Sequence, residues 1–279
     1  MERQINKARQ FAALHVRGAP VVLYNAWDAG SAKAIAEAGA KAIATGSWSL
    51  AAAQGYDDGE AIPLEAVERI VHRITASVDL PVSVDIEGGY ASDPDATARN
   101  IGRIVAAGAI GINFEDGIIG GPGPALHGIH PQCARIRAIR RMADQNGIPV
   151  FINARTDLFL QTANAEHHGA HLGEALERAA AYADAGASGL FVPGLATEQL
   201  IETVCNLSPL PVNILLRAGV PQLPRLAELG VSRVSYGPAP YRAAMAWLQE
   251  QATAAMRHDL PRSGSEPSQT TPRTPDQRR

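Results

Sequence analysis

Four acidic side chains lie at the ends of two predicted strands. Asp85 and Glu87 end one β-rich segment, and Glu115 and Asp116 end the next one along the chain. Residues two apart on a strand share a face, so Asp85 and Glu87 are expected to point into one pocket. Carboxylates gathered without a lysine repel one another, and a hard cation relieves that repulsion. The pattern predicts Mg²⁺, or alternatively Mn²⁺, rather than zinc. The alternative is that single acids cap helices or pair with arginine.

A second group of polar residues could bind a substrate carboxylate. Arg155 ends the segment PVFINAR, where a guanidinium can hold a carboxylate or a phosphonate through two hydrogen bonds. The alternative for Arg155 is an ion pair with Glu115 or Asp157, and one arginine can serve both purposes. Asn213, within a later segment, is either a substrate donor or a buried amide with backbone partners. An earlier segment ends in small residues that can form an anion-binding turn, namely Thr45, Gly46 and Ser47.

Eight β-rich segments are expected to position these residues. They are 20–27, 41–46, 81–87, 111–116, 149–155, 189–194, 211–216 and 233–237. Ala-rich stretches between them have apolar residues three and four apart, which predicts amphipathic helices. Glycines that follow these helices predict left-handed helix ends, at Gly39, Gly108, Gly186 and Gly230. Eight strand–helix units indicate a (β/α)₈ barrel, also known as a TIM barrel, with a doubly wound open sheet as the competing fold.

Composition and segment lengths constrain the organisation of the chain. Residues 1–260 are predicted to form one barrel domain, and the Ser-, Pro- and Arg-rich residues 261–279 a disordered tail. Segments 47–62 and 117–130 follow strand ends and are expected to be loops at the catalytic rim. A net charge of −3 without a basic stripe argues against nucleic-acid and membrane partners. Two isolated cysteines and no secretory leader favour a cytoplasmic location.

Five strand-end motifs resemble the phosphoenolpyruvate mutase/isocitrate lyase superfamily in content and in order. They are LYNAWDAGSA, ATGSWSLAAAQGYDD, VDIEGGY, GINFEDG and INARTD, and the likeness extends over residues 8–250. The resemblance implies a (β/α)₈ barrel whose eighth helix is exchanged between subunits of a homodimer or homotetramer. It also implies Mg²⁺ held largely through water by the acids at matching positions, Asp85, Glu87 and Glu115.

The same resemblance implies a substrate class and roles for further residues. Substrates are expected to be small 2-oxo or hydroxy acids that react through an enolate. The substrate carboxylate would lie against the turn at 45–47, with Arg155 opposite. Asp58 matches the acid on a mobile loop that closes over the site, and Asn213 matches a polar residue that lines the pocket.

The segment 117–130 departs from the family pattern. It reads GIIGGPGPALHGIH and lacks the Lys-Arg-Cys-Gly-His motif of isocitrate lyases as well as the Lys and Asn of the mutases and hydrolases. His127 or His130 could replace the missing acid or base, and Cys133 is predicted to be a buried apolar residue. The sequence thus predicts a Mg²⁺-dependent lyase that cleaves or decarboxylates a small acid. Phosphonopyruvate hydrolase- or phosphoenolpyruvate mutase-type P–C chemistry and a catalytically silent metabolite-binding protein are the alternatives.

Overall fold

In the part of the chain that the structure describes, nine parallel strands form one sheet that closes almost completely into a barrel. The structure, a computed structural model, describes residues 1–121, 123–162 and 164–257. The strands are β1 (Val21–Leu23), β2 (Asn25–Ala26), β3 (Ile43–Thr45), β4 (Val82–Asp85), β5 (Gly111–Glu115), β6 (Phe151–Arg155), β7 (Gly189–Phe191), β8 (Val212–Leu215) and β9 (Arg233–Ser235). β1 pairs with β9 and β2 pairs with β3, so the first predicted strand is split at Tyr24 and joins the two edges. The predicted barrel is confirmed.

Helices follow most of the strands, as the apolar spacing predicts. They are α1 (Glu2–Ala13), α2 (Ala29–Glu37), α3 (Ser47–Ala53), α4 (Leu64–Ser77), α5 (Pro94–Ala106), α6 (Ile129–Gln145), α7 (Leu158–Gln161), α8 (Leu172–Asp184), α9 (Glu198–Leu207), α10 (Leu223–Glu228) and α11 (Ala239–Met256), with a 3₁₀ helix at Ala165–His171. The prediction of a loop throughout 47–62 was wrong for its first part. The sequence SWSLAAA forms α3 there because Leu50 and Ala51 are buried against the barrel.

The four glycines predicted to end helices all have left-handed backbone angles. Their φ values are 93° at Gly39, 104° at Gly108, 100° at Gly186 and 86° at Gly230, which confirms the prediction. At Gly108 the close approach of another helix adds a second requirement. A Cβ atom there would lie 2.8 Å from Oγ1 of Thr75 in α4, so a larger residue is excluded sterically as well.

Helix α1, which the sequence analysis did not predict, covers the amino-terminal end of the barrel. Phe11 is fully buried in a cluster with residues from the starts of several strands, including Ala42, Ile110 and Phe151. The rings of Phe11 and Phe151 meet edge to face with centroids 5.4 Å apart. This packing fills the lower end of the barrel, at the opposite end from the carboxyl ends of the strands.

Contacts divide the chain into two units. Met1–Arg242 contains all nine strands, and a second unit begins at Ala243 within α11. In the second unit Trp247 and Leu248 are 63% and 52% exposed. None of the described helices is both long enough and apolar enough to cross a bilayer. The predicted tail at 261–279 lies outside the described residues, and exchange of the last helix between subunits stays a prediction.

Candidate active site

A cavity of about 170 Å³ opens at the carboxyl ends of the strands. Arg155, Phe191, Leu215 and Ser235 are the last residues of β6, β7, β8 and β9. The full lining consists of Asn25, Gly46, Ser47, Trp48, Asp58, Asp85, Asn113, Arg155, Leu160, Phe191, Pro193, Leu215, Ser235, Gly237 and Pro238. A larger cavity of about 530 Å³ near α2 has Lys41 as its one charged lining residue, so the acid-lined cavity is the candidate active site.

Asp85, the last residue of β4, is held by the turn at 45–47. Its backbone N–H donates to Oγ1 of the fully buried Thr45 at 3.0 Å. Its Oδ2 accepts from the Ser47 hydroxyl at 3.3 Å and from the Ser47 N–H at 3.5 Å. Both contacts are long for hydrogen bonds to a carboxylate, so Asp85 retains much of its capacity to bind another group. Gly46 and Ser47 line the cavity, whereas Thr45 does not and instead holds the backbone of Asp85.

Arg155 both lines the cavity and forms the ion pairs that the sequence left as an alternative. Its Nη1 lies 2.8 Å from Oε2 of Glu115, and its Nε and Nη2 donate to the two carboxylate oxygens of Asp157 at 2.5 and 2.9 Å. Burial alone would lower the pKa of Arg155, but the charges of Glu115 and Asp157 raise it overall. For the carboxyl group of Glu115 burial has the opposite effect and raises the pKa, while the charge of Arg155 lowers it. The guanidinium therefore stays charged at the cavity wall.

Glu87 does not share the face of Asp85, which corrects the prediction from strand periodicity. β4 ends at Asp85, and Glu87 follows in a left-handed conformation with φ of 50°. Its Oε2 accepts from the N–H groups of Gly59 and Glu60 at 2.8 and 3.0 Å. Burial, together with the charges of Asp58 and Asp85, raises the pKa of Glu87 to about 8. The carboxylate thus faces the segment that follows α3.

Asp58 lies on that segment and lines the cavity at its solvent-exposed side, which is called its mouth below. Partial desolvation raises the pKa of Asp58, and the nearby charge of Asp85 adds to the effect while Arg155 opposes it. A carboxyl group with a raised pKa can hold a proton closer to neutral pH than an ordinary aspartate. Among the charged residues that line the cavity, Asp58 is therefore a carboxyl group with a raised pKa.

The predicted ligand set Asp85, Glu87 and Glu115 fits a hydrated cation better than one held directly by all three. In the described part of the chain, no three acidic, histidine or cysteine side chains come close enough together to hold a metal ion. Burial and the charge of Asp85 nevertheless raise the pKa of Glu87 and of Glu115, and these two residues each keep an oxygen atom without a hydrogen bond from any described residue. Hard oxygen atoms and excess negative charge suit Mg²⁺ or Mn²⁺ that keeps several water molecules.

Asn213 lies beneath the cavity rather than in its wall. It is buried, and its Oδ1 accepts from the Ser235 hydroxyl at 3.3 Å. Asn25 and Asn113, which were not predicted from the sequence, do line the cavity. Asn25 accepts from the N–H groups of Tyr236 and Gly237 at 2.9 and 2.8 Å and donates to the Thr45 carbonyl, so it links the ends of β3 and β9. Asn113 precedes Glu115 by two residues on β5, a spacing that could have revealed it.

The segment 117–130 brings no histidine to the cavity. His127 lines a separate cavity of about 250 Å³ with Glu60 and Arg135, and burial lowers the pKa of its imidazole. His130 lies in the first turn of α6. Cys133, also on α6, is buried with its Sγ 3.4 Å from the Ala181 carbonyl, in agreement with its predicted packing role. The predicted substitutes for the missing acid or base therefore lie away from the candidate active site.

Asp116 belongs to a structural network behind the rim instead of to the acid cluster. Its Oδ2 accepts from the Tyr182 hydroxyl at 2.8 Å and from Arg178 at 3.1 Å, and its Oδ1 accepts from the Asp157 N–H at 3.0 Å. All of Asp116 is buried. The Asp116 carboxylate holds the backbone N–H of Asp157, and Asp157 is an ion-pair partner of Arg155. The buried network therefore helps to position that ion pair.

Replacing Tyr182 with Phe is expected to lower the free energy of unfolding by about 1–2 kcal/mol. The change removes a hydroxyl that both donates to the buried Asp116 carboxylate and accepts from Arg178 at 3.0 Å. Urea denaturation of the variant measures the loss, with Tyr56→Phe at an exposed position as the matched control. Equal losses in both variants would show that the buried network contributes nothing.

The barrel and its acid-lined cavity define a class of enzymes that act at the carboxyl ends of β-strands. The profile of the phosphoenolpyruvate phosphomutase family matches residues 11–256. The chain belongs to this family, and the resemblance found in the sequence to the wider superfamily is confirmed.

Two similar proteins cover nearly the whole chain. An uncharacterized protein of Mycobacterium tuberculosis is 38% identical over 258 residues, which are 91% of this chain and 92% of that protein. A crystal structure from Burkholderia cenocepacia J2315, of a protein provisionally described as a phosphonomutase, is 45% identical. It covers 90% of this chain and 99% of its own, with a TM-score of 0.87.

Relatives with named activities are more distant. A 2-methylisocitrate lyase of Salmonella typhimurium is 30% identical over 210 residues, which are 72% of this chain and 67% of that enzyme. Oxaloacetate decarboxylases, phosphoenolpyruvate phosphomutases and a phosphonopyruvate hydrolase also match. The superfamily therefore contains lyases, decarboxylases, hydrolases and mutases that act on small acids.

Proposed function

We propose that this protein is a Mg²⁺-dependent lyase that decarboxylates, or otherwise cleaves a C–C bond of, a small 2-oxo acid through an enolate. One observation carries the proposal: the charged residues that line the 170 Å³ cavity are Asp58, Asp85 and Arg155. Pockets for drug-sized ligands measure roughly 300–1,000 Å³, so this cavity suits an acid of a few carbon atoms. The remaining wall is made of amides, small turns and apolar side chains.

The side chains around the cavity divide the work of such a reaction. Arg155 would bind the substrate carboxylate with the N–H groups that Glu115 and Asp157 leave unused. Asp85, Glu87 and Glu115 would hold Mg²⁺, which supplies positive charge against the oxygen atom where negative charge develops. Asp58 would hold the proton that the carbon atom of the enolate takes, and its segment would limit the entry of water.

The arrangement favours decarboxylation over cleavage of a hydroxy acid. When a 2-oxo acid that carries a carboxylate on the neighbouring carbon loses it as CO₂, the electrons of the broken C–C bond form the enolate, and the only proton transfer is onto that carbon. Cleavage of a hydroxy acid additionally needs a base that removes the hydroxyl proton. Among the described residues of 117–130, none lines the cavity to serve as that base. A single carboxyl group with a raised pKa, Asp58, is sufficient for the first reaction.

Similar proteins support the same chemistry and leave two alternatives to test. An oxaloacetate decarboxylase of Rhodopseudomonas palustris is 29% identical over 202 residues, and phosphonopyruvate hydrolase, with a TM-score of 0.79, has been crystallised with oxalate and Mg²⁺. P–C bond cleavage is the first alternative, and a metabolite-binding protein without turnover is the second. Assembly into homodimers or homotetramers is part of the proposal, supported by the exposed apolar side chains of Trp247 and Leu248.

Pyruvate formation from oxaloacetate is expected to depend on both the protein and Mg²⁺. Lactate dehydrogenase with NADH measures pyruvate, and phosphorus NMR measures phosphate released from phosphonopyruvate in a parallel reaction. Because Mg²⁺ alone promotes some decarboxylation, the reference is the Asp85→Asn variant at the same Mg²⁺ concentration. Conversion of phosphonopyruvate to phosphate and pyruvate, or to phosphoenolpyruvate, without pyruvate formation from oxaloacetate would favour P–C chemistry. No turnover of oxaloacetate or of phosphonopyruvate above the reference would favour the silent alternative.

A further inference from the structure

Two carboxylates form hydrogen bonds between the segment 57–61 and the turn at 87–90, one carboxylate from each side. These hydrogen bonds are called the connection below. Glu87 of the turn accepts from the N–H groups of Gly59 and Glu60 in the segment. Glu60 of the segment accepts, through its Oε1, from the N–H of Tyr90 in the turn at 2.7 Å. Each side therefore supplies a carboxylate and receives one from the other. Asp58, which lines the cavity, lies next to the residues held in this way.

The backbone on both sides of this connection is unusual. Within the described residues, three that are not glycine have positive φ angles, and all three take part: Glu60 at 59°, Glu87 at 50° and Tyr90 at 57°. Side-chain-bearing residues rarely adopt this conformation, and they do so where surrounding contacts hold them there. The hydrogen bonds between the carboxylates and the amides provide such contacts.

The segment 117–121 packs against the same connection. A Cβ atom at Gly88 would lie 3.1 Å from Cδ1 of Ile119 and 3.2 Å from Oε1 of Glu60, so the turn fits closely between the two. The glycine- and proline-rich segment that replaces the family's catalytic motif therefore contacts the connection through an apolar side chain. Its observed role at this point is packing.

We propose that Glu60 is a positioning residue, which forms with Glu87 a reciprocal clasp that holds Asp58 at the mouth of the cavity. The proposal explains why residue 87 is Glu, since its longer side chain reaches the amides of the segment from a turn beyond the end of β4. A shorter Asp at the same position would end before those amides. The part of Asp58 in catalysis rests on the proposed function, whereas the clasp itself does not.

Hydrogen–deuterium exchange of the full-length protein tests the clasp without any substrate. Glu60→Met removes the acceptor of the Tyr90 N–H at similar length and leaves Glu87 intact, so Glu87 alone should still protect Gly59 and residue 60 if the two carboxylates act independently. We expect the amides of Gly59 and Glu60 to exchange at least about tenfold faster, although their own acceptor is unchanged. Glu60→Gln, which keeps the side-chain oxygen, should retain most of the protection. Glu65→Met, at an exposed site on α4, should match the wild type.

If only the amide of Tyr90 exchanged faster in Glu60→Met, the hydrogen bonds of Glu60 and those of Glu87 would be independent of each other. That result would overturn the clasp. Glu87→Asp provides a second arm, with the same expected loss of protection at Gly59 and Glu60. The positioning role predicts that Glu60→Met lowers kcat for oxaloacetate about 10- to 100-fold, while KM changes little. Unchanged kcat in an active enzyme would remove that role. An inactive wild type would contradict the proposed function but leave the exchange test decisive for the clasp.

Discussion

Replacing Asp85 with Asn is expected to lower kcat/KM for oxaloacetate by about 10²–10³-fold. Asp85 is the carboxylate that both lines the cavity and keeps weakly occupied oxygen atoms, so it is the residue best placed to hold a cation there. Removing one preorganised electrostatic group from an active site typically has an effect of this size. The amide still accepts from Ser47, so local contacts should survive.

Stability measurements separate a catalytic effect from misfolding in this variant. Asp85 lies near several other acids, and its removal relieves repulsion that raises the pKa of Glu87 and of Asp58. The free energy of unfolding should therefore stay the same or increase. Asp93→Asn is the matched control, because Asp93 caps α5 outside the cavity and Asn caps helices equally well. Loss of activity in Asp93→Asn as well would show that the assay reports on the fold.

Replacing Arg155 with Met is expected to lower the free energy of unfolding by about 3–5 kcal/mol. The change leaves Glu115 and Asp157 buried without their cation, and breaking a buried pair from one side typically costs this much. Urea denaturation at neutral pH measures the loss. Substrate affinity should fall too, and Arg155→Lys should also bind more weakly because a point charge cannot form two parallel hydrogen bonds.

The pH dependence identifies the cause of this instability. Burial raises the pKa of Glu115, and removal of Arg155 takes away the charge that opposes the shift. Glu115 then takes up a proton in the folded state more readily, so the deficit of Arg155→Met should shrink as the pH falls. Adding Glu115→Gln and Asp157→Asn to the variant should restore part of the stability. A deficit that is independent of pH would assign it to lost packing.

Much of the barrel could be predicted because its signals are local. Short apolar runs, apolar spacing in the helices and a glycine after each of four helices all lie within a few residues of one another. Helix α1 was missed because its few buried side chains, such as Phe11, become core residues only through contact with distant strands. The split at Tyr24 was missed for a similar reason, since it depends on pairing with two different neighbours.

The candidate site could be predicted in part. Residue types at strand ends indicated Asp85, Arg155 and the turn at 45–47, all of which the structure brings together. The prediction that Glu87 shares a face with Asp85 was wrong, because period-two alternation applies only within a strand and β4 ends two residues before Glu87. The pair of Glu115 and Arg155 follows from their register on β5 and β6, where they lie directly opposite each other. The sequence offered this ion pair as an alternative for Arg155, but only the register between strands, a property of the fold, decides that it forms.

Titration calorimetry with oxalate, in the presence and absence of Mg²⁺, tests the central claim most directly. Oxalate resembles the enolate of pyruvate in size and charge, so it should occupy the cavity only when a cation balances the acids around it. We predict binding that requires Mg²⁺, is abolished by EDTA and is lost in Asp85→Asn. Oxalate binding of equal strength with and without Mg²⁺, or unchanged binding to Asp85→Asn, would contradict the account.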